Sequence, residues 1–156
     1  MRRLLPFVAL FGLALAQVPV GVDLPAGSAL TLSTNRIVFD VAERGYPPPA
    51  FPAYYAPTDP EGALMLRLFS NLEGGWFLSA SLDALSGEAG LLPPEQIEIR
   101  IDGASWIPLG PEVLLLSGEG ASRGYDRHAV ELRLKLTGRE APGRYEGRLL
   151  FTLAKP

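Results

Sequence analysis

The sequence contains no cysteine and a single histidine, His128, which removes disulfide cross-links, thiolate chemistry and the usual Cys and His ligand sets for zinc from its repertoire. Lysine is nearly as scarce, occurring at Lys135 and Lys155. The longest apolar run, residues 4–15, is far shorter than the ~20 residues that a membrane-spanning helix needs. Amphipathic helical patterns long enough for a crossover are missing as well. The one stretch with helical character, residues 82–91, carries Gly87 and Gly90 and is expected to make no more than one turn.

What is present begins with an export signal. Arg2 and Arg3 precede the apolar run, and Leu13-Ala14-Leu15-Ala16 ends in the small residues that a signal peptidase reads. The expected organisation is a signal peptide over 1–16, cleaved after Ala16, followed by a single β-sandwich domain over 17–156. No cysteine follows the apolar run, so lipid attachment there is excluded. The expected location is secreted, periplasmic or on the cell surface. Losing Arg2 and Arg3 leaves 12 basic against 17 acidic side chains, a net charge of −5. Nucleic acid and anionic lipid are therefore not expected partners. A chain of this length buries about two-thirds of its unfolded surface and is expected to hold one core without cross-links.

Strand periodicity dominates the mature part. Over 128–137, Val130, Leu132, Leu134 and Leu136 share one face, and Glu131, Arg133 and Lys135 the other. The last segment repeats this with Tyr145, Gly147, Leu149, Phe151 and Leu153 opposite Glu146, Arg148 and Thr152. The turn-rich residues 138–143 between them predict an antiparallel hairpin, with Glu and Arg side chains able to pair across it. Further strands are expected over 30–33, 36–41, 64–70, 76–82, 96–101, 105–109 and 112–116, separated by Gly, Pro, Asn or Asp. Trp76 and Trp106 fall in or beside these segments and are expected in the core. The fold class that follows is all-β: an antiparallel, immunoglobulin-like sandwich of about eight or nine strands. A closed barrel is the alternative.

Two loops differ in composition. Residues 45–57 carry five prolines, too many missing ladder donors for a central strand, together with Tyr46, Phe51, Tyr54 and Tyr55. On a stiff polyproline-like scaffold these four rings would offer flat faces for stacking on sugars or docking a partner, which makes them the candidate binding loop. Folded back, they would instead cap one end of the sandwich with the rings buried. Residues 117–127 are glycine-rich and expected to be flexible.

Catalytic patterns are thin. Gly120-Ala121-Ser122-Arg123-Gly124 matches G-x-S-x-G, with Asp126 and His128 following, but a nucleophile elbow requires a helix after it and here a strand comes next. Glu98, Arg100 and Asp102 fall on one strand face and read as a solvated surface rather than an acid/base pair. No calcium-loop spacing occurs. No catalytic residue, metal or cofactor is expected, and the chain reads as non-enzymatic.

Gly75-Trp76-Phe77-Leu78-Ser79-Ala80, then Ala141-Pro142-Gly143-Arg144-Tyr145-Glu146-Gly147 and Phe151-Thr152-Leu153, resemble the two conserved blocks of bacterial WxL-type surface domains. Gly27-Ser28-Ala29-Leu30 and Ile37-Val38-Phe39-Asp40 fit the same pattern more loosely. Trp76 and Leu78 match the first motif, Phe151 and Leu153 the second, with Phe151 standing where the family has tryptophan. The closing Pro-Gly-x-Tyr-x-Gly-x-Leu-x-Phe pattern is also shared with other secreted immunoglobulin-like modules. The WxL resemblance implies non-covalent attachment to the cell wall within surface complexes. The expected function is a cell-envelope binding module for wall polysaccharide or another envelope protein, with a structural subunit of a surface or fimbria-like assembly as the alternative.

Overall fold

A computed structural model describes residues 17–156; the expected signal peptide lies outside the described residues. Among the described residues, the secondary structure consists of twelve β-strands and two one-turn 3-10 helices, and all strand pairs are antiparallel.

The first sheet is built around the longest strand, β10 (Asp126–Leu136). Its neighbours on one side are β3 (Leu64–Ser70) and, further along the same edge, β2 (Ala53–Tyr55). On the other side lies β7 (Ile97–Ile101), followed by the two-residue β8 (Ile107–Pro108). β1 (Ser28–Leu32) pairs with β3 and forms the opposite edge. The second layer comprises two three-stranded sheets. β4 (Trp76–Leu82) lies between β9 (Val113–Gly118) and β12 (Leu149–Ala154). Beyond Leu82 the chain continues as β5 (Leu85–Gly87), flanked by β6 (Gly90–Leu92) and β11 (Tyr145–Glu146).

The inward faces of both layers share one core. Leu64, Leu66 and Leu68 of β3, Ile97, Ile99 and Ile101 of β7, and Val130, Leu132, Leu134 and Leu136 of β10 meet Leu78, Ala80 and Leu82 of β4. All are buried. The strict period of two in β3 and β10 places every second side chain in this core, so a one-residue slip would expose the whole set. The result is an all-β, sandwich-like arrangement of antiparallel sheets.

Four expectations are corrected. The final strands do not form a hairpin with β10: the connection after Leu136 crosses from the first layer to the second, and the last strand breaks at Gly147 into β11 and β12. Residues 82–91 form the β5–β6 hairpin rather than a helical turn, with Gly90 at φ 136 on the far side of the turn. Residues 36–41 make one isolated bridge, Val38 to Asp59, in place of a strand. Strands form inside two supposed separators and the last one divides, which raises the total above eight or nine.

Trp76 packs as expected, with 7% of its surface exposed. Trp106 does not. Ile107 faces the core, so its neighbour projects from the outer surface of the first sheet. Among the described residues, no helix is long and apolar enough to cross a membrane.

Candidate functional site

The proline-rich loop begins where Gly45, at φ 86, ends the 3-10 turn Val41–Arg44 in a left-handed conformation that an L side chain resists. Arg44 donates to the Pro57 carbonyl at 3.0 Å and closes the base of the loop. Despite its prolines, the loop contributes β2, because β2 falls in residues 53–56, the loop's longest run in which every residue keeps its backbone N–H. Pairing fixes the alternation. Tyr55, opposite Leu134, points inward and is 5% exposed; Tyr54, opposite Lys135, points outward and is 46% exposed. Tyr46 and Phe51 are also exposed, and the Phe51 ring lies so close to Gly138 that a Cβ there would approach within 2.9 Å. The candidate loop thus presents three rings and surrenders the fourth to the core.

The outward ring of Tyr54 joins side chains that sequence inspection assigned elsewhere. The Arg133 guanidinium carbon lies 4.0 Å from the centroid of Tyr54 and 4.4 Å from that of Trp106. Arg100 approaches Trp106 at 4.5 Å. The order along the face is therefore Tyr54, Arg133, Trp106, Arg100, with cations and rings interleaved. Each cation–ring contact is worth ~0.5–1 kcal/mol at an exposed site and more when desolvated. Carboxylates hold the guanidiniums in plane: Glu98 accepts from Arg133 Nε at 3.0 Å and Nη2 at 3.2 Å, and Glu131 accepts from Arg100 Nη2 at 2.7 Å. Arg100 Nε is buried without a hydrogen-bond partner. These cross-strand pairs link β7 and β10, where the sequence suggested pairs between β10 and the last strand.

Such a shelf can stack on an apolar ring face while its guanidinium and carboxylate edges exchange hydrogen bonds with hydroxyls. The sequence signal for it existed: on β7 and β10 the outward residues alternate as Glu98, Arg100 and Glu131, Arg133. What was missing was the parity of the two-residue β8, which alone decides the side on which Trp106 emerges.

The hydrolase-like pattern is dispersed. Ser122 Oγ accepts from the Ser70 amide at 2.8 Å and has the carbonyls of Gly124, at 2.8 Å, and Ser70, at 3.2 Å, within donating reach. These bonds anchor the expected flexible loop to the end of β3. The carboxylate beside His128 belongs to Asp102, whose Oδ2 lies 2.6 Å from His128 Nδ1, and not to Asp126. Asp102 occupies the left-handed region at φ 50 in the turn after β7. Partial burial acts to raise its pKa, but the hydrogen bonds from His128 and the Ala129 amide outweigh it and hold the carboxyl below its usual range. Among the described residues, no group of three or more His, Cys, Asp or Glu side chains is placed to hold a metal.

The WxL-like positions sit together in the second layer. Leu78 and Leu153 are directly paired across β4 and β12, and Phe151 lies opposite Ala80. Leu78 is fully buried, and Phe151 and Leu153 pack against the core. Compared with models of protein families, with characterised proteins and with solved structures, the chain matches none of them.

Proposed function

We propose that the chain is an exported, non-catalytic cell-envelope protein that binds wall polysaccharide or another envelope protein through the outer face of its first sheet. The observation that carries this reading is the interleaved row of Tyr54, Arg133, Trp106 and Arg100, with Glu98 and Glu131 fixing the two cations. Two rings and two bound guanidiniums held on adjacent strands are preorganised, so little side-chain entropy is lost on binding. Tyr46 and Phe51 are also exposed in the same loop. The immunoglobulin-like, WxL-type resemblance agrees with wall attachment, with Trp76, Leu78, Phe151 and Leu153 filling the core and recognition falling to the other layer. Co-sedimentation of the mature protein with purified cell-wall sacculi tests the wall-binding form of the proposal. Retention in the pellet supports it; a protein that stays wholly in the supernatant leaves only the envelope-protein partner.

A second reading, a structural subunit of a surface assembly, is favoured by a different observation: the N-terminal segment before β1 carries four exposed apolar side chains at a spacing of two.

A further inference from the structure

The mature chain opens Gln17-Val18-Pro19-Val20-Gly21-Val22-Asp23-Leu24-Pro25. Val18, Val20, Val22 and Leu24 are 83%, 84%, 74% and 82% exposed. Single exposed apolar residues need no explanation, but four in strict alternation would share one face once the segment is extended in a strand. The base of this arm is fixed. Asn71 donates from Nδ2 to the Pro25 carbonyl at 2.9 Å, accepts from the Gly27 amide at 2.7 Å, and donates its own amide to the Gly27 carbonyl at 3.2 Å. The arm therefore leaves the body at the end of β3 marked by Ser70 and Asn71.

At the opposite end of the sandwich, a cleft of about 900 Å³ opens between residues 35–42 and residues 140–147. Its floor includes Leu85, Leu92, Leu132, Leu134, Leu136 and Leu149, and its size falls in the ~300–1,000 Å³ range of clefts that bury ligands. Both rims suit an added strand. Residues 35–42 make a single bridge in place of a ladder, and β11 and β12 each pair on one side only among the described residues.

We infer that residues 18–24 of one copy pair as a strand with the free edge of β11 and β12 of a second copy, placing Val18, Val20, Val22 and Leu24 in its leucine-lined cleft. This rests on the structural-subunit reading. The arm does not fill its own cleft in this structure: its four apolar side chains are exposed, and its base is tied through Pro25 and Gly27 to Asn71, at the end of β3 away from the cleft. Arm and cleft at opposite ends make the contact head-to-tail, which generates open-ended chains of copies unless the rotation closes a ring. Pro19 lies on the face away from the apolar residues, and a strand at an edge tolerates its missing N–H.

Sedimentation velocity on the chain from Gln17 onward, as a function of concentration, tests this against Val20→Asp/Val22→Asp. The expected result is wild-type species that grow with concentration and a variant that stays monomeric. A wild type that is monomeric throughout overturns both the arm proposal and the subunit reading. A variant that assembles like the wild type overturns the arm proposal and leaves the subunit reading standing. The cysteine-free background allows a positional check on the outward face: Pro19→Cys chains mixed with Glu146→Cys chains should give a disulfide-linked heterodimer. A Pro19→Cys/Glu146→Cys chain that closes its disulfide within one monomer would contradict head-to-tail pairing.

Discussion

Arg133 and Glu98 face each other in register across β10 and β7 and share two hydrogen bonds, at 3.0 and 3.2 Å. The Glu98 side chain is 11% exposed and that of Arg133 26%, so this pair is shielded from solvent in a way that Arg44 and Glu61, at 37% and 79%, are not. Arg133→Ala removes both bonds, leaves a shielded carboxylate unpaired and withdraws the cation between Tyr54 and Trp106. The expected loss is about 1–3 kcal/mol in urea denaturation, against less than ~1 kcal/mol for Arg44→Ala.

The two adjacent tyrosines of β2 should behave in opposite ways. Tyr55 is 5% exposed and packed in the core, so Tyr55→Ala is expected to cost ~3–5 kcal/mol. Tyr54→Ala should cost less than ~1 kcal/mol and act on binding instead. Parallel thermal melts of the two variants check this.

Trp76 lies against the backbone of Gly118, where a Cβ would come within 2.6 Å of its indole ring. The ring is held between strands and cannot yield cheaply. Gly118→Ala is expected to destabilise by ~1–3 kcal/mol and to move Trp76 toward solvent. In a Trp106→Phe background, a red shift of the remaining tryptophan emission reports the movement.

Glu140 ties the crossing between the layers. Partial burial acts to raise its pKa, but bonds from the Thr137 amide and hydroxyl, at 2.7 Å each, and from Gln96 Nε2 at 2.8 Å, prevail and bring it down to about 2. A carboxyl whose folded pKa is depressed stabilises the fold above its unfolded pKa of 4.5 and loses that contribution as pH falls toward about 2. Wild type should therefore exceed Glu140→Gln in stability by ~1 kcal/mol at neutral pH, after allowance for solvent screening. The gap should close between pH 4.5 and about 2, as followed by denaturant midpoints across that range.

Alternation made β3, β4 and β10 legible, because buried leucines at a period of two mark both the strand and its inward face. It carried no information on which layer a strand joins. The crossing after Leu136 has the turn-rich composition of a hairpin loop, but Glu140, the residue that fixes its path, bonds to Gln96, 44 positions away, a partner that local sequence does not reveal. The prolines flanking β2 mask it, and the β5–β6 hairpin has strands of three residues each, too short to show a period. Of the candidate loop, alternation along β2 sets Tyr54 outward and Tyr55 inward, but the side chains beside Tyr54, namely Arg133 and beyond it Trp106 and Arg100, come together only through pairing across three strands.

The outer shelf of the first sheet is tested most directly by sacculus binding of Trp106→Ala. Trp106 stacks on two guanidiniums outside the core, so its removal should leave the unfolding transition in place and weaken binding roughly tenfold, the equivalent of about 1.4 kcal/mol. A folded Trp106→Ala protein that sediments with sacculi as fully as the wild type would contradict the assignment of the shelf as the binding face.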